Sequence, residues 1–581
     1  MAKIIESSGV IIGQASGPIL ASNVPLSFWG GVDPSTGEVI DRHHPLAGQR
    51  LGGAVLVLPS GRGSCSGSGV LLELILSGNA PAALVFSEPE EILMLGVIVA
   101  RQVFERSIPV ARISPLDFDV LASAPFAWID GGGVHLEAPP VLVANVDPNG
   151  TATELILTAR DRDLLDGLHG RAAQAAMQIV TEAASIYSAD RLVDVTKAHI
   201  DGCIYTGNGG LAFAERLRDW GGSVVVPTTL NAISVDQRRW RTQGVDERFG
   251  VPASRLAEAY VEMGAMPTFT CAPYLLDARP QRDEQVVWAE SNAVVYANSV
   301  LGARTMKYPD YLDICIALTG RAPLAGCHLD EGRLPQMVID ASSLRIGDDA
   351  FYPLFGYCVG KLAGSRIPLI VGLESAEPSS DDLKAFGAAF ATTSAAPMFH
   401  IAGVTPEYPK RPDASAMDGL SLEIVTADAL ADAWRELNGG YDEARIGLIA
   451  LGNPHCSLEE IESLAKLCQG RRRHAAVRVM VTCARDTYGR AQCRGLVSTL
   501  DAFGVEFIND TCWCMIREPI IPPNVSTIMT NSGKFAHYGG GLTGRAMRFG
   551  SLAQCVDAAT SGRFSSKPPS WLIGAPSAVA T

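Results

Sequence analysis

Serine, cysteine and lysine are the residues of this chain whose spacing can support catalysis, and they fall in a few short stretches. The densest is PSGRGSCSGSGVLLEL, residues 59 to 74, where Ser64, Ser66 and Ser68 alternate with small residues between a strand-like run, AVLVLP, and a helix-like run. Glycines there let backbone amides at a helix start point outward, which makes a site for a carboxylate or an oxyanion. A serine hydroxyl is a weak base until positive dipoles or a cation stabilise its alkoxide, and Arg62 can be that cation. The same residues can equally form a strand-to-helix turn without chemistry. The stretch is not a phosphate-binding P-loop, because the lysine of that motif is missing.

A second constellation is WAESNAVVYANSVLGART, residues 288 to 305, where Ser291, Asn292, Asn298, Ser299, Arg304 and Thr305 interrupt a core-like segment. Polar groups in apolar surroundings must be paired or aimed into a site, so the segment reads as a polar pocket or as a self-satisfied network. Cys271 in TFTCAPYL, Cys327 in AGCHLDE, Cys456 in GNPHCS, and Cys512 with Cys514 in NDTCWC stand at element ends, where thiolates can bind soft metals. Their separations exceed any local finger pattern, so spacing does not join them. Lys534 in NSGKFAHY reads as a binder of a carboxylate or phosphate or as a solvated loop lysine. His328, Asp330 and Glu331 read as an ion-pair face or a site edge.

These residues need a scaffold, and the chain changes texture along its length. From Gly17 to Glu137, short apolar runs punctuated by glycine and proline predict a β-rich α/β domain. Pro139, Pro140, Pro148, Asn149 and Gly150 mark a connector. Amphipathic helical patterns then alternate with apolar runs such as SVVVP, ARIGLIAL, HAAVRVMVT and VEFIND, which predicts parallel sheet in more than one α/β lobe. The expected divisions are a small domain at 1–138, a linker at 139–155, a large α/β body at 156–562 and a flexible tail at 563–581.

A length of 581 residues, at about 150 per domain, agrees with three to five structural units. Hydrophobic residues at 47% against 19% charged exclude a chain dominated by disorder. Sixty-two acids against 47 bases give a net charge of -15, which repels phosphate backbones and anionic lipids, so neither nucleic acid nor membrane is an expected partner. Glu6 interrupts the N-terminal apolar residues, so no secretion signal is read. The longest apolar run, Ile92 to Ala100, is about half of a bilayer span. Thirteen cysteines, an odd number without a CxxC pair, predict free thiols in the reducing cytoplasm rather than a disulfide framework.

In one order along the chain, GRGSCSGS, VPTTLNAISVD at 226 to 236, TFTCAPYL, WAESNAVVYANSVLGART, HLDE, GNPH and NSGKFAHYGGGL make it resemble the aconitase X family of the aconitase superfamily. The resemblance covers nearly the whole sequence. It implies an aconitase-like α/β fold with a small swivelling β/α domain fused in front of a large multi-lobe α/β body. It further implies a monomeric hydro-lyase with no small-subunit partner and an iron-sulfur cluster, 2Fe-2S rather than 3Fe-4S or 4Fe-4S. The substrate implied is cis-3-hydroxy-L-proline, dehydrated to 1-pyrroline-2-carboxylate.

Residue by residue, the resemblance implies Cys271 and Cys512 as cluster ligands. The family's two-subunit branch has GCPH where this chain has GNPH, with Asn453 in the cysteine's place, so Cys327 is taken as the third ligand and Cys456 as its reserve. Ser64 matches the catalytic serine, with Ser66 as the alternative base or a substrate-binding group. Lys534, Asn298 and Arg304 are expected to hold the substrate carboxylate. Two rival readings stand beside this one: a dehydratase of another hydroxy acid such as mevalonate 5-phosphate, which calls for a denser set of Lys and Arg, and a non-catalytic carboxylate-binding protein.

Overall fold

Short runs rich in Val, Ile and Leu, bounded by Gly and Pro, become the strands of an N-terminal sheet. In the computed structural model, residues 4–131, 133–138, 155–410, 412–413, 417–439 and 443–572 are described. The strands are β1 (Ile4–Ile5), β2 (Ser7–Ile11), β3 (Ala15–Ala21), β4 (Val55–Leu58), β5 (Ala83–Phe86), β6 (Val110–Ile113), β7 (Phe126–Asp130) and β8 (Gly133–His135). They pair in the order β1-β8-β7-β3-β4-β5-β6-β2. The central four, β3 to β6, are parallel, and antiparallel strands close both sides. All residues of β4 and β5 are buried, as expected of central parallel strands covered on both faces. Helices α1 (Gly67–Ser77) and α2 (Ile92–Phe104) follow β4 and β5 and pack together.

The rest of the chain is an α/β body with separate parallel sheets. Strand Ala198–Ile200 lies between Thr228–Leu230 and Val287–Trp288. A four-stranded sheet is built on Met337–Asp340 and Pro368–Val371. A five-stranded sheet has the order Val505–Ile508, Arg478–Thr482, Leu448–Leu451, Thr527–Thr530, Ala546–Phe549. The small-domain-plus-multi-lobe α/β architecture expected from the sequence is therefore what the chain adopts.

Two seams position the site. Ile233 bridges to Thr511, and its N–H donates to the Asp510 carbonyl at 2.7 Å, tying the three-stranded and five-stranded sheets together beyond their strand ends. The small domain docks through α1: Glu73 accepts from the Gly209 N–H at 2.7 Å, and Leu71 and Leu72 share an apolar core with Phe213 and Leu312 of the body.

Residues 139–154 of the expected linker lie outside the described residues. Of the expected tail, Arg563–Ser565 pair antiparallel with Glu443–Arg445, and Trp571 packs edge-on to Phe351. Strand pairing and aromatic burial thus hold that Ser- and Pro-rich stretch against the body, while 573–581 lie outside the described residues. Among the described residues no helix is long and apolar enough to cross a membrane.

Candidate functional site

Three neighbouring parallel strands end in polar residues at one level. Ala198–Ile200 is followed by Asp201, Thr228–Leu230 by Asn231, and Val287–Trp288 by Ala289 and Glu290. Crevices beyond the carboxyl ends of parallel strands are where α/β proteins place ligands, because apolar strands below hold a rigid floor and loops above are free to vary. Asn231 Nδ2 donates to Asp201 and, at 3.2 Å, to Glu290 Oε2. Glu290 also caps helix Ser291–Tyr296 by accepting from the Asn292 N–H.

From the opposite side, strand Thr527–Thr530 ends and Ser532 caps helix Gly533–Thr543, whose first turn carries Lys534. Its ammonium donates to Glu290 Oε1 at 2.8 Å, with both side chains buried.

The serine loop, between β4 and α1, closes over this floor. Gly63 has φ +83, and a Cβ there would stand 2.5 Å from Ser27 Oγ and 2.8 Å from the Tyr538 hydroxyl, so glycine is what allows the body to approach the loop. Ser64 and Ser66 are buried. The Ser64 hydroxyl donates to Ser66 Oγ at 3.4 Å, and Ser66 donates to Asp201 Oδ2 at 3.1 Å. Ser68 is spent on the carbonyls of Cys65 and Asp310. Arg62 turns away from the serines, to Asp41 at 2.9 Å and the Pro25 carbonyl at 2.7 Å. The serine pair therefore faces carboxylates rather than the cation that the sequence suggested.

Three thiols converge beside Lys534. Cys512 contacts both Cys271 and Cys514. Asn453 Nδ2 lies 3.2 Å from Cys514 Sγ, and the His455 N–H donates to Cys271 Sγ at 3.3 Å. Asn292 secures the Cys271 carbonyl at 3.0 Å. The Cys512 thiol is pushed up by its contact with Cys271 and by burial, and the Cys514 thiol by Cys512 and by burial. For Cys512 and Cys514 this crowding and dryness favour the protonated thiol unless a cation takes it. Among the described residues no group of three or more His, Cys, Asp or Glu side chains has the arrangement that holds a metal ion; what the site offers is a set of buried soft donors.

Cys327 is not brought into this set. It sits in a small apolar cluster with Ile367 and Met398, and its thiol meets the Gly332 carbonyl at 3.6 Å. Cys456 follows His455 in sequence, yet its charged surroundings are Glu460 and Lys384.

The polar segment 288–305 divides. Glu290 and Asn292 belong to the site, whereas Asn298, Ser299 and Thr305 satisfy one another and the neighbouring backbone. Asn298 Nδ2 donates to the carbonyls of Thr305 and Pro397, and its Oδ1 accepts from the Thr305 N–H at 3.0 Å. Arg304 pairs with Asp283 and Asp330 near the surface. Of the residues expected to hold a carboxylate, Ser66 and Lys534 are at the site, and the polar groups of Asn298 and Arg304 are engaged elsewhere. His328 is held between Tyr308 and Gln285.

Charge at the site is strongly biased by its dryness. Burial, and then the charges of Glu290 and Asp313, push the Asp201 carboxyl up; burial, Asp201 and Asp313 do the same to Asp310. Burial alone would raise Glu290 too, but the Lys534 ammonium outweighs it and holds that carboxyl below its usual range. Lys307, which donates to the Ser394 carbonyl at 2.9 Å, is pushed down to about 8 by burial, with Cys65, Lys534 and Glu290 in its field.

Lys307 lines a cavity of about 240 Å³ with Ser60, Gly61, Glu90 and Tyr187. A second, of about 580 Å³, shares Ser60 and Gly61 and opens between the small domain and Tyr357, Lys361 and His537. Both reach the start of the serine loop. A cavity of about 740 Å³, lined by Arg239, Tyr488 and Phe507 among others, contains none of these residues.

Asp201, Asn231, Glu290 and Lys307 were not singled out by sequence reasoning, and Cys514 was named only as one of several metal-capable thiols. The first three had a readable signal, a polar residue at the end of each of three short apolar runs, KAHID, TTLN and VVWAE.

A small β/α domain that lays a serine loop over the strand ends of a thiol-bearing α/β body is the plan of an aconitase-type enzyme. Models of aconitase X domains match throughout: the swivel domain at residues 4–137, the first domain at 154–331, the second at 335–435 and the third at 446–561. A cis-3-hydroxy-L-proline dehydratase of Hypocrea jecorina is 56% identical, covering 98% of this chain and 97% of its own. One from Pseudomonas aeruginosa is 54% identical, covering 98% of this chain and 99% of its own. The crystal structure of Thermococcus kodakaraensis aconitase X in its holo-form is 30% identical and superposes with a TM-score of 0.63, over 70% of this chain and 100% of that one. The chain belongs to the aconitase X family, in fused single-chain form, and is a hydro-lyase.

Proposed function

We propose that this protein is an iron-sulfur dehydratase that removes water from cis-3-hydroxy-L-proline and so yields 1-pyrroline-2-carboxylate. The observation that carries the reading is the meeting of Ser64 and Ser66, Glu290 with Lys534, and three thiols in one buried crevice, in a chain more than half identical to two dehydratases of that substrate.

In cis-3-hydroxyproline the hydroxyl and the carboxylate share a ring face, so the α-hydrogen lies opposite the leaving hydroxyl and anti elimination is available. Ser64 Oγ, supported by the Ser66 N–H, takes the α-proton. Lys534 and Lys307 bring positive charge to the substrate carboxylate, which lowers the cost of carbanion character at the α-carbon. The enamine formed tautomerises to the cyclic imine.

Cys271, Cys512 and Cys514 would hold the cluster, with two irons as the expected nuclearity, and the Asn453 amide, 3.2 Å from Cys514 Sγ, would donate to that ligand. When bound, the cluster supplies a Lewis-acidic iron that eases departure of the hydroxyl. Free thiols at all thirteen cysteines suit a reducing compartment such as the cytoplasm, and fusion of the small domain lets a monomer carry the whole site.

The test is an anaerobic assay with cis-3-hydroxy-L-proline, following the cyclic imine. Turnover in the wild type, lost by about 10²- to 10⁴-fold in Ser64→Ala with cluster absorbance unchanged, is the expected result. No product from protein with a full cluster would sink the substrate reading, and near-normal rates in Ser64→Ala would sink the base.

A further inference from the structure

A serine that accepts a proton from carbon must lose its own, and the structure contains a short route for it. Ser64 donates to Ser66 Oγ at 3.4 Å, and Ser66 donates to Asp201 Oδ2 at 3.1 Å, all three buried. Asp201 is held rigidly: its own N–H and that of Gly202 donate to Asp313 Oδ2 at 2.7 and 3.2 Å, and Asn231 donates to its other carboxylate oxygen.

Resting on the reading of Ser64 as base, we infer that Asp201 is the terminal proton acceptor of the dehydration, acting on Ser64 through the Ser66 hydroxyl. As the α-proton moves to Ser64 Oγ, the Ser64 proton moves to Ser66 and the Ser66 proton to Asp201 Oδ2. The C–H electron pair becomes the ring double bond, the C–O bond breaks, and the departing hydroxide is protonated from solvent as water. Asp201 returns its proton to solvent between turnovers, so the net change is the loss of one water.

Asn231 sets the limit of the route. Its amide has two hydrogens and gives one to Asp201 and one to Glu290, so it aligns both carboxylates and passes no proton between them. The proton taken from carbon therefore stays on the serine side, and the Glu290–Lys534 pair keeps its charges. Burial and the nearby negative charges of Glu290 and Asp313, only partly offset by Lys534, raise the proton affinity of Asp201, which suits it to accept from a hydroxyl. Asp310, which also contacts the Ser66 side chain, Cys65 and Cys203 are the other titratable groups in its field; the 3.1 Å hydrogen bond from Ser66 runs to Asp201.

Asp201 touches no substrate in this scheme and is a positioning residue, so the test uses readouts that mere structural support would not move. In the iron-loaded enzyme, Asp201→Asn should lower kcat by about 10²-fold or more while KM stays within about threefold. Ser66→Ala, which removes one hydroxyl, should do the same, and Ser66→Thr should recover most of the rate. The double variant Asp201→Asn with Ser66→Ala should be no slower than either single one, because the two act as a unit. The acid limb of the wild-type kcat profile, lying above the ordinary carboxylate range, should disappear in Asp201→Asn.

A wild-type kcat in Asp201→Asn, or multiplying losses in the double variant, overturns the assignment and leaves Ser64 in place. Near-normal turnover in Ser64→Ala instead overturns the serine base itself. Should Asp201→Asn fail to fold, a wild-type kcat in Ser66→Ala breaks the route, and a loss in Ser66→Ala that Asp310→Asn reproduces moves the acceptor from Asp201 to Asp310.

Discussion

The Lys534 ammonium, 2.8 Å from Glu290 Oε1, forms a buried ion pair that joins the five-stranded sheet to the three-stranded one. Neither charge has water to fall back on, so each depends on the other. Replacing Glu290 by Gln should leave Lys534 buried and uncompensated and cost about 3–5 kcal/mol in denaturant unfolding. Adding Lys534→Met should recover part of that loss. Because Glu290 is held below its usual range, the pair's contribution is complete at neutral pH and is lost as pH falls through the lowered value. Unfolding free energies that are indifferent to either change would show the pair to be energetically idle.

The thiol set makes a discriminating prediction. Cys514→Ala should bleach the cluster absorbance and lower iron content in anaerobically purified protein, as should Cys271→Ala and Cys512→Ala. Cys327→Ala should leave both unchanged, since that thiol faces Gly332 and an apolar cluster. Retained absorbance in Cys514→Ala together with bleaching in Cys327→Ala would reverse the assignment.

Lys307 predicts how substrate affinity follows pH. Its ammonium, pushed down to about 8 by burial, loses its charge as pH rises past that value, so KM for a carboxylate substrate should climb about tenfold per unit above pH 8. Lys307→Met should show a KM raised by about tenfold or more at pH 7 and flat across the same range. Since the group's proton affinity is lower folded than unfolded, the cost of burying its charge is present below about 8 and is relieved as pH rises towards the ordinary lysine range. A KM in Lys307→Met that still climbs with pH would assign the effect to another group.

Gly63 is a steric prediction. A Cβ at φ +83 and within 3 Å of Ser27 and Tyr538 is strained twice over, so Gly63→Ala should cost about 1–3 kcal/mol. It should also lower kcat by displacing Ser64, and Tyr538→Phe, which removes one of the two close oxygens, should restore part of that rate. Full activity in Gly63→Ala would mean that the loop does not need this approach.

Much of this was legible in the residues. ARIGLIAL and HAAVRVMVT read as parallel sheet from their alternation with helices and form central or near-central strands, AVLVLP read as a strand and forms β4, and SVVVP forms no strand, the pairing starting after it at Thr228. The family resemblance pointed to Cys271 and Cys512, and Lys534 read as an anion binder or a solvated loop lysine; the fold brings the three side chains into one buried crevice. Cys514 stood two residues from Cys512 in NDTCWC without a reason to be preferred over Cys327, because separation along the chain carries no information on which thiols meet. Arg62 looked like the serine's cation by proximity in sequence, yet Asp41 claims it at 2.9 Å. Asn298 and Arg304 shared a segment with Asn292, but the turn of the chain after Tyr296 aims them at Thr305, Pro397 and two surface aspartates instead.

The sequence by itself determined the two-part α/β layout and the serine loop, since hydrophobic period and glycine placement are local properties written residue by residue. Which side chains share the crevice was decided only in three dimensions. Asp201, Asn231 and Glu290 lie up to 89 residues apart and meet because their strands run parallel in one register. Ser66 reaches Asp201 across 135 residues, and Lys534 reaches Glu290 across 244. No local pattern encodes such pairings; they follow from how apolar surfaces of separate lobes pack, and that packing sets which carboxylate takes the proton and which takes the lysine.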